Sequence, residues 1–212
     1  MATSFTIGAE ASCTDGVCGE VSRVVLDLAA WTVTHLVVKP KDERPARLVA
    51  LDLIDATAGE IRLRCTLSAF CKLGRAEKTE FVPGTGDYSR HGPGNTARPN
   101  FVQAGTESVG VSGRLPQTFT YDTLPPGEVA VRRGDHVHAT DGDTGQIQGV
   151  FMNPGSDHVT HVLLQKGHLW GRKQVAIPIS AVTRIDAGIE LNITRRQVKH
   201  LPPVNLDHHD VP

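Results

Sequence analysis

An internal repeat constrains the fold of this chain more than any other feature of its sequence. Adding 126 to each residue number carries V-T-H-L-V-V at 33–38 onto V-T-H-V-L-L at 159–164. Between positions 14 and 53, ten of forty residues are identical to their partners, whereas unrelated sequence would give roughly two or three. The 212 residues are therefore expected to form two small domains of one design.

Each copy has the pattern of short strands joined by tight turns. A first strand, predicted over 4–9 and 129–133, is followed by a Thr-Asp-Gly turn, in which Asp caps its own backbone and Gly supplies positive φ. Several short strands at even spacing, with alternating apolar residues, are typical of a small antiparallel β-barrel. The capping-box spacing from Thr194 to Gln197 predicts that a short helical turn closes each barrel.

The repeat and the composition together predict four segments: a first barrel over 1–73, a linker over 74–127, a second barrel over 128–204 and a tail over 205–212. The linker holds nine Gly and six Pro among its 54 residues, a content at which a packed core becomes unfavourable. Apolar pairs are nevertheless spaced along it. Two interpretations stay open: an irregular linker that lays a strand or two against a barrel, and a fully flexible tether.

The repeated pattern resembles the PRC-barrel domain, the β-barrel of the cytoplasmic part of the photosynthetic reaction-centre H subunit. The resemblance covers about two-thirds of the chain. In the second copy it is carried by Thr140-Asp141-Gly142, Gly145, Ile147, Val159-Thr160-His161-Val162 and Val175-Ala176-Ile177-Pro178-Ile179. In the first copy it is carried by Thr14-Asp15-Gly16, Gly19, Val21, Val33-Thr34-His35-Leu36 and Val49-Ala50-Leu51. The first copy departs from the pattern at Asp52, where the second has Pro178. An all-β fold of two PRC-type barrels is what the resemblance implies.

Members of this family resemble docking and assembly modules: part of the reaction centre, the ribosomal-protein-binding half of a ribosome-maturation factor and an archaeal cell-division protein. The family brings no shared catalytic residues. The resemblance therefore implies a non-catalytic adaptor whose partner is another protein or protein complex. A homodimer is also compatible with such a module.

Both copies keep the same polar and glycine positions, which we interpret as structural. A histidine with apolar neighbours on its strand more often bonds a turn backbone than acts as an acid or base, although Asp15 or Asp141 could approach it in the fold. The repeat-matched structural residues are Asp15, Gly16, Gly19, His35, Asp141, Gly142, Gly145 and His161.

The loop over 166–173 is the strongest candidate for a protein-binding surface. It lies where the copies diverge, and it carries Trp and Arg between glycines, a composition typical of interface hot spots. The candidate contact residues are His168, Leu169, Trp170 and Arg172. The alternative is that Trp170 folds back over the mouth of its own barrel.

Four cysteines, Cys13, Cys18, Cys65 and Cys71, all lie in the first copy. Their spacing fits no common zinc signature, and three interpretations stay open: reduced thiols, a disulfide or redox pair, and a metal site. His136 and His138 should point to one side of a strand, but they lack an ordered third ligand unless the tail at 208–209 supplies it. We predict no metal and no cofactor. A small-molecule or metal sensor that uses the cleft between the barrels is the alternative function.

Charge and hydropathy bear on the remaining function classes. A net charge of −1 gives no basic field for nucleic acid, and no apolar run approaches the length of a membrane span. The first residues lack the basic and apolar regions of a signal peptide, so a cytoplasmic location is expected. Because neither a phosphate-binding glycine loop nor a nucleophile elbow is present, we predict no catalytic residues and no enzyme.

Overall fold

The computed structural model describes residues 3–42, 44–57, 60–82, 117–153, 155–166, 173–186 and 188–202. The first copy contains β1 (Thr3–Thr6), β2 (Glu10–Cys13), β3 (Gly16–Asp27), β4 (Thr32–Lys39), β5 (Arg47–Ala50), a 3₁₀ turn (Leu51–Leu53), β6 (Ile54–Thr57), β7 (Glu60–Leu63) and α1 (Leu67–Phe70). Then follow β8 (Glu77–Val82) and β9 (Gln117–Asp122). The second copy contains β10 (Glu128–Arg132), β11 (His136–Ala139), β12 (Gly142–Met152), β13 (Val159–Lys166), β14 (Lys173–Pro178), a 3₁₀ turn (Ile179–Ala181), β15 (Val182–Ile185), β16 (Ile189–Leu191) and α2 (Arg195–His200).

Each copy builds one sheet, and the two sheets have the same strand order. The order is β5-β4-β3-β2-β7-β6 in the first copy and β14-β13-β12-β11-β16-β15 in the second. Alternation along the strands gives each sheet one apolar face: in β7, Ile61 and Leu63 are buried, whereas Glu60 and Arg62 are exposed. The predicted all-β class is confirmed.

The prediction of purely antiparallel barrels is wrong at one strand pair in each sheet. β2 pairs parallel with β7, and β11 pairs parallel with β16. The cause is the 3₁₀ turn after β5, which passes the chain to β6 without reversing its direction, so that β7 returns parallel to β2. Within the described ranges β5 and β6 are not hydrogen-bonded to each other, nor are β14 and β15. The two units are therefore mixed, open sheets instead of closed barrels.

The first strand of each copy pairs with the sheet of the other copy. β1 lies antiparallel to the end of β12, and β10 lies antiparallel to the end of β3. Both pairings have the same register under the 126-residue offset, because Phe5 lies opposite Val150 and Val131 lies opposite Val24. Each sheet thus has seven strands, of which one comes from the other copy.

Glycines mark the point at which each exchanged strand returns to its own copy. The Ile7 amide donates to the Gln148 carbonyl of the second copy (2.8 Å), and the next amide, that of Gly8, donates to Val21 of the first (2.7 Å). Gly8 has φ +99° and its repeat partner Gly134 has φ +90°, a region that L side chains rarely adopt. The strand predicted over 4–9 consequently ends at Thr6, because the chain bends there.

One hydrophobic core runs through both units. It includes Phe5 and Val24 together with Val131 and Val150, all at most 1% exposed, so the exchanged strands bury their apolar side chains between the sheets. A second, smaller cluster lies on the outer face of the first sheet, where Val25 packs with residues that include Ala76. Because the large core contains buried residues of both copies, the association of the two units is part of folding itself.

The helical turns that close the units have the predicted caps. The Thr66 side chain accepts a hydrogen bond from Ala69 N at the start of α1. Thr194 and Gln197 form a reciprocal capping box at the start of α2, as their spacing predicts. Each cap satisfies backbone amides that a helix leaves free at its first turn.

Candidate functional site

The aspartates of the two Thr-Asp-Gly turns are helix-capping groups. Asp15 Oδ1 accepts a hydrogen bond from Leu67 N at 2.7 Å, and Asp141 Oδ1 accepts one from Arg195 N, also at 2.7 Å. A carboxylate at a helix N-terminus satisfies a free amide and interacts favourably with the helix dipole. Both carboxylates therefore make their hydrogen bond within their own unit. Each aspartate lies in a hairpin turn, directly before the glycine that begins the next strand, Gly16 in β3 or Gly142 in β12.

Gly19 and Gly145 lie where two strands approach closely. A Cβ atom on Gly19 would lie 2.1 Å from the Lys39 carbonyl oxygen, and a Cβ atom on Gly145 would lie 2.5 Å from that of Gln165. Neither position has room for a side chain, because the nearest atom at each is a backbone carbonyl oxygen. The sequence conservation between the copies at this position thus has a steric cause.

His35 meets a carboxylate that the other copy supplies. Its Nδ1 lies 3.3 Å from Glu128 Oε2, an ion-pair distance without hydrogen-bond geometry. The hydroxyl of Thr34 donates to the same Glu128 oxygen at 2.8 Å. The Glu128 side chain is only 12% exposed and belongs to the exchanged strand β10. The predicted approach of Asp15 to this ring is not observed, since Asp15 caps α1.

His161, the repeat partner of His35, has different surroundings. It lies between Phe151 and Pro178 on the neighbouring strands, and its buried Nδ1 has no hydrogen-bond partner in the described part of the chain. Burial lowers the pKa of His161 below its usual value, so the neutral ring is favoured. The position that matches Glu128 in the first copy is Ala2. The two histidines therefore share a place in the fold but not a chemical environment.

A buried charge network, which sequence reasoning missed, attaches the β8–β9 ribbon to the first sheet. Arg23 is 9% exposed and donates to Asp122 Oδ1 at 2.6 Å and to a Glu77 carboxylate oxygen. Arg132, the cross-strand neighbour of Arg23, donates to the other Asp122 oxygen at 2.6 Å. Burial lowers the pKa of Arg23, and the negative charge of Asp122 opposes this effect. An arginine that interrupts the apolar residues Val21, Val24, Val25 and Leu26 of strand β3 was the available sequence signal.

The two units also meet at the turns before β4 and β13. Thr32 and His158 form an isolated antiparallel bridge, and they are repeat partners (32 + 126 = 158). Beside them Val159 N donates to Trp31 O at 2.8 Å and Val33 N donates to Asp157 O at 3.0 Å. The pseudo-two-fold axis that relates the copies passes through this junction.

Two clefts on the surface of the first unit have cysteines in their lining. The larger, of about 670 Å³, has Cys13 and the charged side chains of β7 and its neighbours in its lining. The smaller, of about 550 Å³, is lined by residues that include Cys18, Arg44 and Cys71. Neither cleft lies between the two units, where the alternative function was predicted.

Other candidate residues have simple surroundings or lie outside the described ranges. The rings of His136 and His138 stack at a centroid distance of 6.2 Å on one side of β11, as predicted, and His136 Nδ1 lies 2.5 Å from Asp143 Oδ2. Within the described ranges no group of three or more His, Cys, Asp or Glu side chains is arranged to hold a metal ion. The loop residues His168, Leu169, Trp170 and Arg172 and the tail histidines at 208–209 are outside those ranges.

Comparison with known proteins gives no assignment. No family model matches the sequence, and no curated protein gives a significant match. The described part of the chain contains no helix long and apolar enough to cross a lipid bilayer. The geometry of the site residues themselves is therefore the basis for a functional proposal.

Proposed function

We propose that this protein is a non-catalytic docking or assembly module built from two PRC-like units. Its partner is another protein or protein complex, not nucleic acid, and it works in the cytoplasm. The observation that carries the proposal is the reciprocal strand exchange of β1 and β10. Exchange joins two small sheets into one body with a continuous core, which suits a rigid scaffold that presents loops to a partner.

The use of the polar groups supports the same function. Asp15 and Asp141 cap helices, Glu128 pairs with His35 across the units, and Asp122 bridges two arginines. A catalytic acid, base or nucleophile needs a free face directed toward a substrate. These carboxylates instead serve contacts within the fold.

The docking surface in this proposal is the loop of the second unit that contains Trp170 and Arg172. Trp and Arg carry much of the binding energy in protein interfaces, because they bury a large area and retain a polar group. Under the repeat offset Trp170 corresponds to Arg44 (44 + 126 = 170), an exposed residue paired with Asp42. The first unit therefore supplies a matched position without the aromatic side chain.

The test is an affinity purification of the tagged full chain after mild crosslinking, followed by measurement of Kd with the partner so identified. The combined changes Trp170→Ala and Arg172→Ala should weaken binding by at least about 2 kcal/mol, roughly 30-fold in Kd. Arg44→Ala is the control and should leave Kd unchanged. Equal affinity of the wild type and the Trp170/Arg172 variant would contradict the assignment of this loop.

A second candidate function is a small-molecule or metal-responsive sensor. The cleft of about 670 Å³ on the first unit favours it, because this volume is within the range of small-molecule sites. Its lining is largely charged, with Glu10, Asp55 and Arg62 among its side chains. Elemental analysis and a thermal-shift screen against small anions and cations separate the alternatives. A stoichiometric metal, or a rise in Tm that depends on ligand concentration, would support a sensor. If the protein contains no metal and its Tm does not rise, docking is the function that is left.

A further inference from the structure

Three thiols lie together at one end of the first unit. Cys13 ends β2, Cys18 is near the start of β3, and Cys65 follows β7. Since β2 is hydrogen-bonded between β3 and β7, Cys13 is the central thiol of the three. Chain segments that are distant in sequence thus bring Cys65 to the hairpin that holds the other two.

Hydrogen bonds fix this arrangement. The Thr14 amide and hydroxyl donate to the Cys65 carbonyl at 3.0 and 3.3 Å, which holds Cys65 beside the residue that follows Cys13. The Cys18 thiol donates to the Ala11 carbonyl at 3.1 Å. Burial raises the pKa of Cys13 well above its usual range, and contacts with the thiols of Cys18 and Cys65 raise it further. Cys13 and Cys18 are buried, whereas Cys65 is half-buried.

The fold does not need these thiols. The second unit repeats the same turn, in which Thr140 N donates to Ile193 O at 3.1 Å, the counterpart of the contact between Thr14 and Cys65. The residues that match Cys13 and Cys65 there are Ala139 and Ile193. A thiol cluster is thus an addition to one copy of a fold that forms without it.

We propose that Cys65 and Cys13 form a reversible disulfide when the protein meets a peroxide, so that the first unit carries a thiol-oxidation site. Disulfides in reducing compartments are characteristically transient and redox-sensing, and such sites combine an accessible thiol with a neighbouring resolving thiol. Cys65 is the accessible thiol and Cys13 the resolving one.

The reaction has two steps. The Cys65 thiolate attacks one oxygen of hydrogen peroxide: an S–O bond forms, the O–O bond breaks, and the departing hydroxide takes a proton to become water. The Cys13 sulfur then attacks the Cys65 sulfur: the S–S bond forms, the S–O bond breaks, and the hydroxide leaves as water with the Cys13 proton. Two thiols are oxidised and one peroxide is reduced. Because the attacking species is a thiolate, the Cys13 proton passes to the departing hydroxide as its sulfur attacks, and the burial of Cys13 leaves the first step to the more accessible Cys65.

Cys71 provides an internal control. It is half-buried, like Cys65, but its Sγ accepts a hydrogen bond from Arg44 Nη1 at 2.8 Å, and it belongs to the smaller cleft. An oxidation that follows exposure alone should affect Cys71 as readily as Cys65. An oxidation that depends on the Cys13 neighbour should spare Cys71.

The experiment treats the reduced full chain with hydrogen peroxide, blocks the remaining thiols with N-ethylmaleimide and maps the products by mass spectrometry. We expect two thiols to be lost, a peptide pair joined through Cys13 and Cys65, and full recovery with dithiothreitol. Cys65→Ile, which copies the second unit, should abolish the loss, and Cys71→Ser should not change it. Cys13→Ala, also copied from the second unit, should leave a sulfenic acid on Cys65 that dimedone traps.

Several results would overturn the proposal. One is that all four thiols can still be alkylated after peroxide treatment. Another is that Cys65→Ile loses as many thiols as the wild type, and a third is a disulfide that joins Cys71 to another cysteine. Circular dichroism of each variant establishes its fold. If Cys65→Ile does not fold, absence of the dimedone adduct on Cys65 in Cys13→Ala decides against the proposal.

Discussion

Phe5 is the antiparallel strand partner of Val150, although the two residues belong to different copies of the repeat. The reciprocal pair, Val131 and Val24, has the same register in the other sheet. The repeat therefore folds as an intramolecular exchanged dimer, in which each unit completes the other. Neither sheet has its full set of strands until both copies are in place, so the two units should unfold together.

The first prediction tests this cooperativity through Phe5, which is 1% exposed in the shared core. Phe5→Ala should lower the free energy of unfolding by about 3–5 kcal/mol, because it removes a buried aromatic ring and leaves a cavity. Urea unfolding should remain a single transition, and hydrogen exchange should become faster in both units. Val17→Ala, at an exposed position, is the control. Faster exchange confined to the second sheet would show that the units are independent.

The second prediction concerns the network around Arg23. Arg23→Ala leaves Glu77 without its buried partner and Asp122 with Arg132 alone, and loss of one member of a buried pair typically costs about 3–5 kcal/mol. Amide protection should fall first in β8 and β9. Arg62→Ala, which removes an exposed pair with Glu60, should change stability by no more than about 0.5 kcal/mol. Equal effects of the two substitutions would contradict a structural role for the Arg23 network.

The local elements were predictable from the sequence, because their causes are local. The helix cap at Thr194 followed from the spacing of Thr and Gln. The shared direction of His136 and His138 followed from the two-residue period of a strand. Each of these inferences needs only neighbours within a few residues.

The long-range contacts were not predictable, because nothing in a repeat says with which copy a strand pairs. β1 has the same apolar pattern whether it lies beside β3 or beside β12. The parallel pair β2–β7 depends on a 3₁₀ turn that does not reverse the direction of the chain. The residues of Leu51–Leu53 give no sequence signal for such a turn. The contact of His35 with Glu128 depends on the exchange, so it was not predictable for the same reason.

The third prediction uses the close approach of strands at Gly145. Gly145→Ala places a Cβ 2.5 Å from the Gln165 carbonyl oxygen at φ +150°, so β12 and β13 must separate locally. We expect a loss of stability of more than about 2 kcal/mol, within the range that backbone strain and overpacking produce. Gly74→Ala is the matched control, since nothing lies within 4 Å of its Cβ position. Thermal unfolding of both variants measures the difference, and equal Tm values would show that the strands adjust without cost.

The last prediction follows from the partly buried ring of His161. Because burial lowers its pKa in the folded state, the unfolded chain takes up a proton first as the pH falls. The contribution of the neutral ring is complete above the unfolded pKa of about 6.5 and is lost as the pH falls from there toward the lower folded pKa. The slope is at most about 1.4 kcal/mol per pH unit for one proton.

His161→Gln removes the titrating group, so its stability should fall less steeply than that of the wild type between pH ~7 and ~5. Urea unfolding at several pH values gives both slopes, and groups other than His161 cancel in the difference. His136→Gln, at an exposed ring, provides the comparison for loss of a histidine as such. Parallel slopes for the wild type and His161→Gln would mean that the ring is protonated equally in the folded and unfolded chain, and that its burial between Phe151 and Pro178 does not favour the neutral form.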